Sequence, residues 1–180
     1  MNTPTPPILT VQGLRVEIPT RRGVLLALDD VSFSIAPGEI LGFVGESGAG
    51  KSLTGMSILG LLEPPGHVAG GEIRLGDKRL DTLTQRQMRQ VRGKEIGAVF
   101  QDPLMSLNPL LQIGEQLTET ILTHLPVSKE EAAQRALALM RAVGIPAPEA
   151  RFTAYPHQFS GGMRQRIVNA LSLWAVPRPV

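Results

Sequence analysis

The chain has 180 residues, 42% of them hydrophobic and 19% charged, with a formal net charge of +2 and a pI near 9.4. That length and composition fit one globular domain with a sizeable core and room for a subdomain, and the small cationic surplus gives no argument for nucleic acid as a partner. The absence of cysteine excludes disulfides and thiolate metal sites and makes a reducing cytoplasm the easier match.

The N-terminal "MNTPTPPILT" has no basic stretch followed by an apolar one, as a secretory signal would, and no apolar run approaches the ~20 residues that span a bilayer. A soluble or peripheral protein is expected, with residues 1–8 as a flexible tail. Leu14, Val16 and Ile18 alternate with Arg15 and Glu17, and Val31, Phe33 and Ile35 alternate with Ser32 and Ser34. This period of two predicts half-buried strands in an early antiparallel section. After the turn signal "APG", residues 40–44 are apolar without alternation, which predicts a buried strand in the middle of a parallel sheet.

Residues 51–62 are compatible with a helix that stops before Pro64, Pro65 and Gly66. "GGEIRL" predicts a short strand, residues 83–91 a polar helix and residues 95–100 another buried strand. From about Asn108 to Pro156 the texture becomes helical. Ile113, Leu117 and Ile121 stand at helical spacing within residues 112–124. Ser128, three residues before Glu131, forms a capping box that opens a second helix with Leu137, Met140 and Val143 as its apolar stripe. Plain core packing is the expected role of that stripe.

Two stretches carry chemistry. "GESGAGKS" at residues 45–52 satisfies G-x-x-x-x-G-K-[ST] between an expected strand and a helix start. Glycines let successive backbone N–H groups point into one concavity, and the helix N-terminus adds partial positive charge. Gly45, Glu46, Ser47, Gly48, Ala49, Gly50, Lys51, Ser52 and Leu53 thus form a candidate cradle for a nucleotide triphosphate. In it Lys51 would reach the β- and γ-phosphates, and the Ser52 hydroxyl would ligate Mg²⁺. The plainer alternative is a glycine turn that caps a helix beside a solvated lysine. Downstream, "FSGGMRQR" offers the Ser160 hydroxyl and the unobstructed backbone of Gly161 and Gly162 at the start of a last helix, a second anion site by the same physics.

Together the two motifs resemble the nucleotide-binding subunit of ATP-binding cassette (ABC) transporters, whose signature is usually written LSGGQ. Here Phe159 replaces the leucine and Met163 the glutamine. "VFQDPLMSLNPL" resembles the glutamine loop of that family, and "QDPLMSLNP", "IGEQLTE" and "YPHQFSGGMRQR" resemble its oligopeptide, dipeptide and nickel importer branch. The resemblance runs from about Leu9 to Ala170. It implies an α/β fold of the P-loop NTPase type, a mixed sheet with an N-terminal antiparallel section and a helical subdomain. The implied division is a core over residues 9–107, a helical subdomain over 108–158, and the signature with its helix over 159–180.

The resemblance also implies function. Two subunits, alike or different, would sandwich two ATP molecules between the phosphate loop of one and Ser160, Gly161 and Gly162 of the other. Gln101 would reach Mg²⁺ and the attacking water. Transmembrane permease subunits and, indirectly, a substrate-binding protein would be the partners, with no nucleic acid, at the cytoplasmic face of the membrane. The residue aligned with the family's adenine-stacking aromatic is Ile18, so aliphatic contact, or a guanidinium from Arg21 or Arg22, would replace stacking. His67, His124 and His157 all precede the position of the family's switch histidine and receive no catalytic role. Past the signature helix, "LWAVPRPV" lacks the family's Asp-Glu strand, so truncation and loss of hydrolysis are expected of the chain as given. A nucleotide- or partner-binding fragment without turnover, and a soluble cassette ATPase outside transport, are the alternatives.

Overall fold

The structure is a computed structural model that describes residues 6–100 and 106–173. It divides into two compact units, Met1–Arg89 and Gln90–Val180.

The first unit is built on a four-stranded antiparallel sheet of order β2-β1-β3-β4, with β1 at Leu9–Thr20, β2 at Gly23–Ile35, β3 at His67–Leu75 and β4 at Lys78–Arg79. β1 and β2 form a hairpin whose pairing runs from Leu9 opposite Ile35 to Thr20 opposite Gly23. Val11, Leu14 and Val16 of β1 and Ile73 of β3 are buried. The step of three between Val11 and Leu14 breaks a strict alternation, and the pairing shifts register there. Gly13 makes this irregularity with φ +59, and a Cβ on the facing Gly71 would stand 2.4 Å from the Gly13 carbonyl oxygen. An irregularity of this kind re-aims the side chains that follow it, so the core face continues at Leu14. The early antiparallel section read from the alternating residues is therefore present, with longer strands than the alternation marks.

α1, Lys51–Ile58, follows the glycine-rich loop. It ends earlier than the prolines require because Gly60, at φ +61, turns the chain left-handed. The Gly60 N–H then bonds the Ser57 carbonyl at 3.1 Å and the Leu61 N–H the Met56 carbonyl at 2.8 Å, the double closure of a glycine-terminated helix. α2, Gln85–Val91, begins after Thr84, whose backbone N–H and hydroxyl both donate to the Gln87 side chain.

The second unit contains α3 (Ile113–His124), α4 (Lys129–Ala142), α5 (Pro148–Arg151), a 3-10 turn at Pro156–Gln158 and α6 (Gly161–Leu173). Ser128 Oγ accepts from Glu131 N–H at 3.1 Å and caps α4, which is the serine half of the expected box, while the Glu131 carboxylate accepts from Arg135 at 2.6 Å. Ile113, Leu117 and Ile121 are all buried. On α4 the buried stripe is Ala132, Ala136 and Met140, while Leu137 and Val143 are half-buried. Ala132, Ala136 and Met140 share one face of α4 at spacing four, and that face joins the core cluster with Ile113, Leu117 and Ile121.

Two expected buried strands are absent among the described residues. Residues 40–44 belong to no strand, with Ile40 96% and Val44 100% exposed. The segment's described tether is Phe43, which meets Phe33 edge-on at 4.9 Å between ring centroids. Residues 95–100 form a single bridge, Ile96 to Arg92, and Val99 and Phe100 are exposed. A central parallel strand exists only where backbone partners meet both of its edges and layers cover both faces. Among the described residues neither segment has such neighbours, so apolar sequence alone does not make it a strand.

Candidate nucleotide-binding site

The loop at residues 45–52 turns through two left-handed glycines, Gly48 at φ +87 and Gly50 at φ +81. Gly50 is the N-cap of α1 and provides no side-chain cap. The first intrahelical closure is Thr54 N–H to Gly50 carbonyl at 2.9 Å, which leaves the N–H groups of Lys51, Ser52 and Leu53 ahead of the ladder, as in any first helical turn. Those donors and the positive end of the helix dipole suit an anion.

Lys51 folds back over the loop. Its ammonium donates to the carbonyls of Gly45 at 2.7 Å and Glu46 at 2.6 Å. An ammonium has three donors, so one remains after these two bonds. The cationic group is thereby fixed above the cradle rather than released into solvent. Ser47, Gly48, Ala49 and Ser52 are exposed, as is Glu46, whose side chain lies toward solvent while its carbonyl holds the lysine. The cradle fits a phosphate chain: N–H donors at a helix start, glycine backbone without a Cβ in the way, and a lysine anchored at the mouth.

Ile18 lies in the same unit near the tip of the hairpin, opposite Leu25. It is half-buried, and its Cγ1 would be 3.6 Å from a Cβ on Gly66. Arg21 and Arg22 are exposed in the turn beyond it. Gln101, assigned to Mg²⁺ and water by resemblance, lies outside the described residues together with residues 102–105. Among the described residues no cluster of three or more His, Asp or Glu side chains could hold a metal ion.

The signature stretch belongs to the second unit. Ser160 Oγ accepts from Met163 N–H at 3.3 Å and caps α6. Gly161 and Gly162 are exposed, with nothing within 4 Å of a Cβ on either, so the turn is an open backbone surface. Arginines frame it. Arg164 Nε donates to the Phe159 carbonyl at 2.9 Å, and Arg166 donates to the Gly144 carbonyl at 2.9 Å. Arg151 sits 5.6 Å above the Phe159 ring centroid and donates to Met163 Sδ at 3.7 Å.

The family described as ABC transporter matches residues 28–178. The chain belongs to the ABC transporter family. It is 47% identical over 172 residues to the oligopeptide transport ATP-binding protein OppD of Bacillus subtilis, covering 95% of this chain and 48% of that relative. It is 47% identical over 171 residues to the dipeptide transport ATP-binding protein DppD of the same organism, covering 94% of this chain and 51% of that relative. The chain thus spans about half the length of the curated relatives it matches. Among solved structures, the ATP-binding cassette MJ0796 bound to ADP and Pi superposes with a TM-score of 0.81 at 26% identity, covering 94% of this chain and 70% of that one. A second dimeric structure of MJ0796 matches at a TM-score of 0.79 and 27% identity, with the same coverage of both chains. The α/β fold, with its antiparallel section and helices, is therefore that of ABC cassettes.

Two contributors to the ABC motifs were not legible in the sequence. Leu28 underlies Gly50 from β2, and Arg151 reaches the signature from eight and twelve residues upstream of its contacts. No local spacing rule joins either pair.

Proposed function

We propose that this chain is the nucleotide-binding part of an ATP-hydrolysing subunit that drives import of peptides, with MgATP bound at residues 45–52. The observation that carries the reading is Lys51, whose ammonium is anchored on the Gly45 and Glu46 carbonyls with a donor to spare for a phosphate oxygen. The backbone N–H groups of residues 47–53 would orient the phosphates, Ser52 and Gln101 would hold Mg²⁺, and Ile18 would offer the base an aliphatic contact. MgATP, when bound, supplies the phosphoryl group whose transfer to water releases the energy for transport.

In this reading residues 9–107 form the nucleotide-binding core, 108–158 the helical subdomain and 159–180 the signature with its helix. A second ATPase subunit, identical or homologous, would bring its own Ser-Gly-Gly turn to the bound ATP. Closure would then depend on the γ-phosphate, which couples nucleotide state to a membrane partner. The transport wording of the relatives' names supports permease subunits and a binding protein as further partners, and favours peptides over nickel. Among the described residues no helix is long and apolar enough to cross a membrane; the cytoplasmic face of the membrane is where such a subunit would meet a permease. A groove of about 750 Å³ at α3 and α4 is lined by Leu111, Leu122, Ala133 and Phe152 together with Glu115, Glu119, Glu130 and Lys129. An apolar lining with a surplus of carboxylates complements a basic amphipathic segment, and cytoplasmic loops of membrane proteins are rich in Lys and Arg. We assign the permease to this groove.

The test is equilibrium titration of ATP with the chain and with Lys51→Ala, beside phosphate release. Loss of the charged hydrogen bonds should weaken binding about tenfold or more. Equal affinity in the two proteins would overturn the phosphate-loop assignment. Lys51-dependent binding without phosphate release would favour the nucleotide-binding fragment, and ATPase activity indifferent to permease would favour a cassette ATPase outside transport.

A further inference from the structure

We propose that Arg151 is a positioning residue for the signature turn, acting through both residues that flank Ser160, Gly161 and Gly162. The inference deepens the nucleotide-binding reading and rests on it for its functional half. Phe159 and Met163 are the two positions at which this signature departs from the usual LSGGQ. One side chain touches both. The Arg151 guanidinium lies over the Phe159 ring at 5.6 Å and donates to Met163 Sδ at 3.7 Å.

The chemistry of the two contacts is complementary. An aromatic face attracts a guanidinium that a leucine would not, and a thioether sulfur is a weak acceptor that tolerates a long, soft bond. Phe159 is 2% exposed and belongs to the core of the unit, so the ring is a fixed platform. Arg151 ends α5, which enters through Pro148 at its first position. The guanidinium is therefore held between a rigid ring on one side and the first turn of α6 on the other. Arg164 completes the frame by binding the Phe159 carbonyl, and Ser160 caps the Met163 N–H. A Cβ on Gly161 or Gly162 would meet nothing within 4 Å, so no side chain packs over these two glycines. Contacts at the two flanking residues brace this first turn of α6, and Arg151 ties the two together. Its charge also lies beside the N-terminus of α6, where it reinforces attraction for an anion.

The experiment uses the full chain with Arg151→Ala, Arg151→Lys and Met163→Leu. The first readout is amide hydrogen exchange, which needs no nucleotide. Arg151→Ala should speed exchange at Met163 and Arg164 by about fivefold while α3 and α4 keep their protection. Met163→Leu, which removes the sulfur acceptor and keeps the volume, should do so by a smaller factor at the same amides. Arg151→Lys, which keeps charge but loses the planar fork, should recover part of the protection. The second readout is ATP-dependent self-association by sedimentation, where Arg151→Ala should weaken the dimer several-fold and leave ATP affinity of the monomer unchanged. Unaltered exchange at Met163 and Arg164, or acceleration spread evenly over α3, α4 and α6, would overturn the positioning role. Failure of the unsubstituted chain to associate with ATP would count against the sandwich reading alone, because the exchange measurement judges Arg151 independently.

Discussion

Leu28 on β2 closes against Gly50 so tightly that a Cβ at position 50 would stand 2.4 Å from Leu28 Cδ2. The phosphate loop is thus seated on the antiparallel sheet, through the residue that also opens α1. Gly50 carries two constraints at once, a left-handed φ of +81 and the absence of any room for a side chain.

Gly50→Ala should therefore lower stability by about 1–3 kcal/mol, the usual cost of holding a residue with a Cβ in a sparsely populated conformation, with Leu28 forced aside in addition. Urea unfolding followed by circular dichroism reads this as a lower midpoint. An unchanged midpoint would mean that the loop does not rest on β2. ATP affinity should fall in parallel, because the N–H groups of Lys51 and Ser52 take their direction from that turn.

Asp81 makes the second prediction. Burial of its side chain, 7% exposed, opposes ionisation. That cost is outweighed by donation from Arg79, at 2.9 and 3.0 Å, and by the Ile73 N–H at 3.0 Å, so the carboxyl titrates below its usual range. A depressed folded-state value means that stability is fully present above the unfolded carboxylate pKa of about 3.9 and is lost as pH falls through the lower folded value. Asp81→Asn should cost about 1.5–3 kcal/mol at neutral pH, the range for hydrogen bonds to a charged group. The difference from the unsubstituted chain should shrink as the solution is acidified below pH 4. Denaturant melts from pH 7 to pH 2.5 check it, and a difference constant over that range would refute the linkage.

How much of this was legible beforehand follows from what each feature depends on. The glycine turn at residues 45–52 and the Ser128 cap are local: a glycine with no Cβ, a lysine and a hydroxyl at fixed offsets act through their own backbone, and spacing reports the turn and the cap. Residues 40–44 and 95–100 depend on neighbours. The same valines, isoleucines and phenylalanines make a central strand when a ladder forms on both edges and lie exposed when none does. Period counting sees the side chains and not the partners. The α4 stripe misleads in a smaller way: spacing marks Leu137, Met140 and Val143, whereas Ala132, Ala136 and Met140 are the buried ones. Arg151 was invisible for a third reason, as its two contacts are created by the turn between α5 and α6 and no sequence period links them.

A third prediction addresses the groove between α3 and α4. Replacing Glu119 and Glu130 with arginine reverses the net charge of the groove's lining while leaving its apolar residues and the loop at residues 45–52 unchanged. Like charge against a basic docking segment is costly, and rim charges act mainly on association. The double variant should bind ATP as before and lose most of its co-purification with permease subunits in detergent. Retention of the permease at 150 mM salt would move the docking surface elsewhere on the molecule.

The fourth prediction separates structure from function at the signature. Nothing lies within 4 Å of a Cβ on Gly161, and no positive φ is recorded for it, so an aspartate fits there without displacing a neighbour. Gly161 is also the first residue of α6, where a carboxylate meets the positive end of the helix dipole and steadies the helix by about 0.3–1 kcal/mol. Gly161→Asp should consequently melt at the same temperature as the unsubstituted chain or slightly above it. Its ATP affinity as a monomer should not change, because the loop at residues 45–52, the proposed nucleotide site, is a separate stretch of the sequence. Self-association driven by ATP should nonetheless disappear, since the new carboxylate would face a γ-phosphate in place of the open N–H groups of the turn, and like charges brought together across an interface repel strongly. Sedimentation velocity with ATP, beside a thermal melt, checks both halves. A variant that folds, binds ATP and still dimerises on ATP would remove the Ser-Gly-Gly turn from the nucleotide interface.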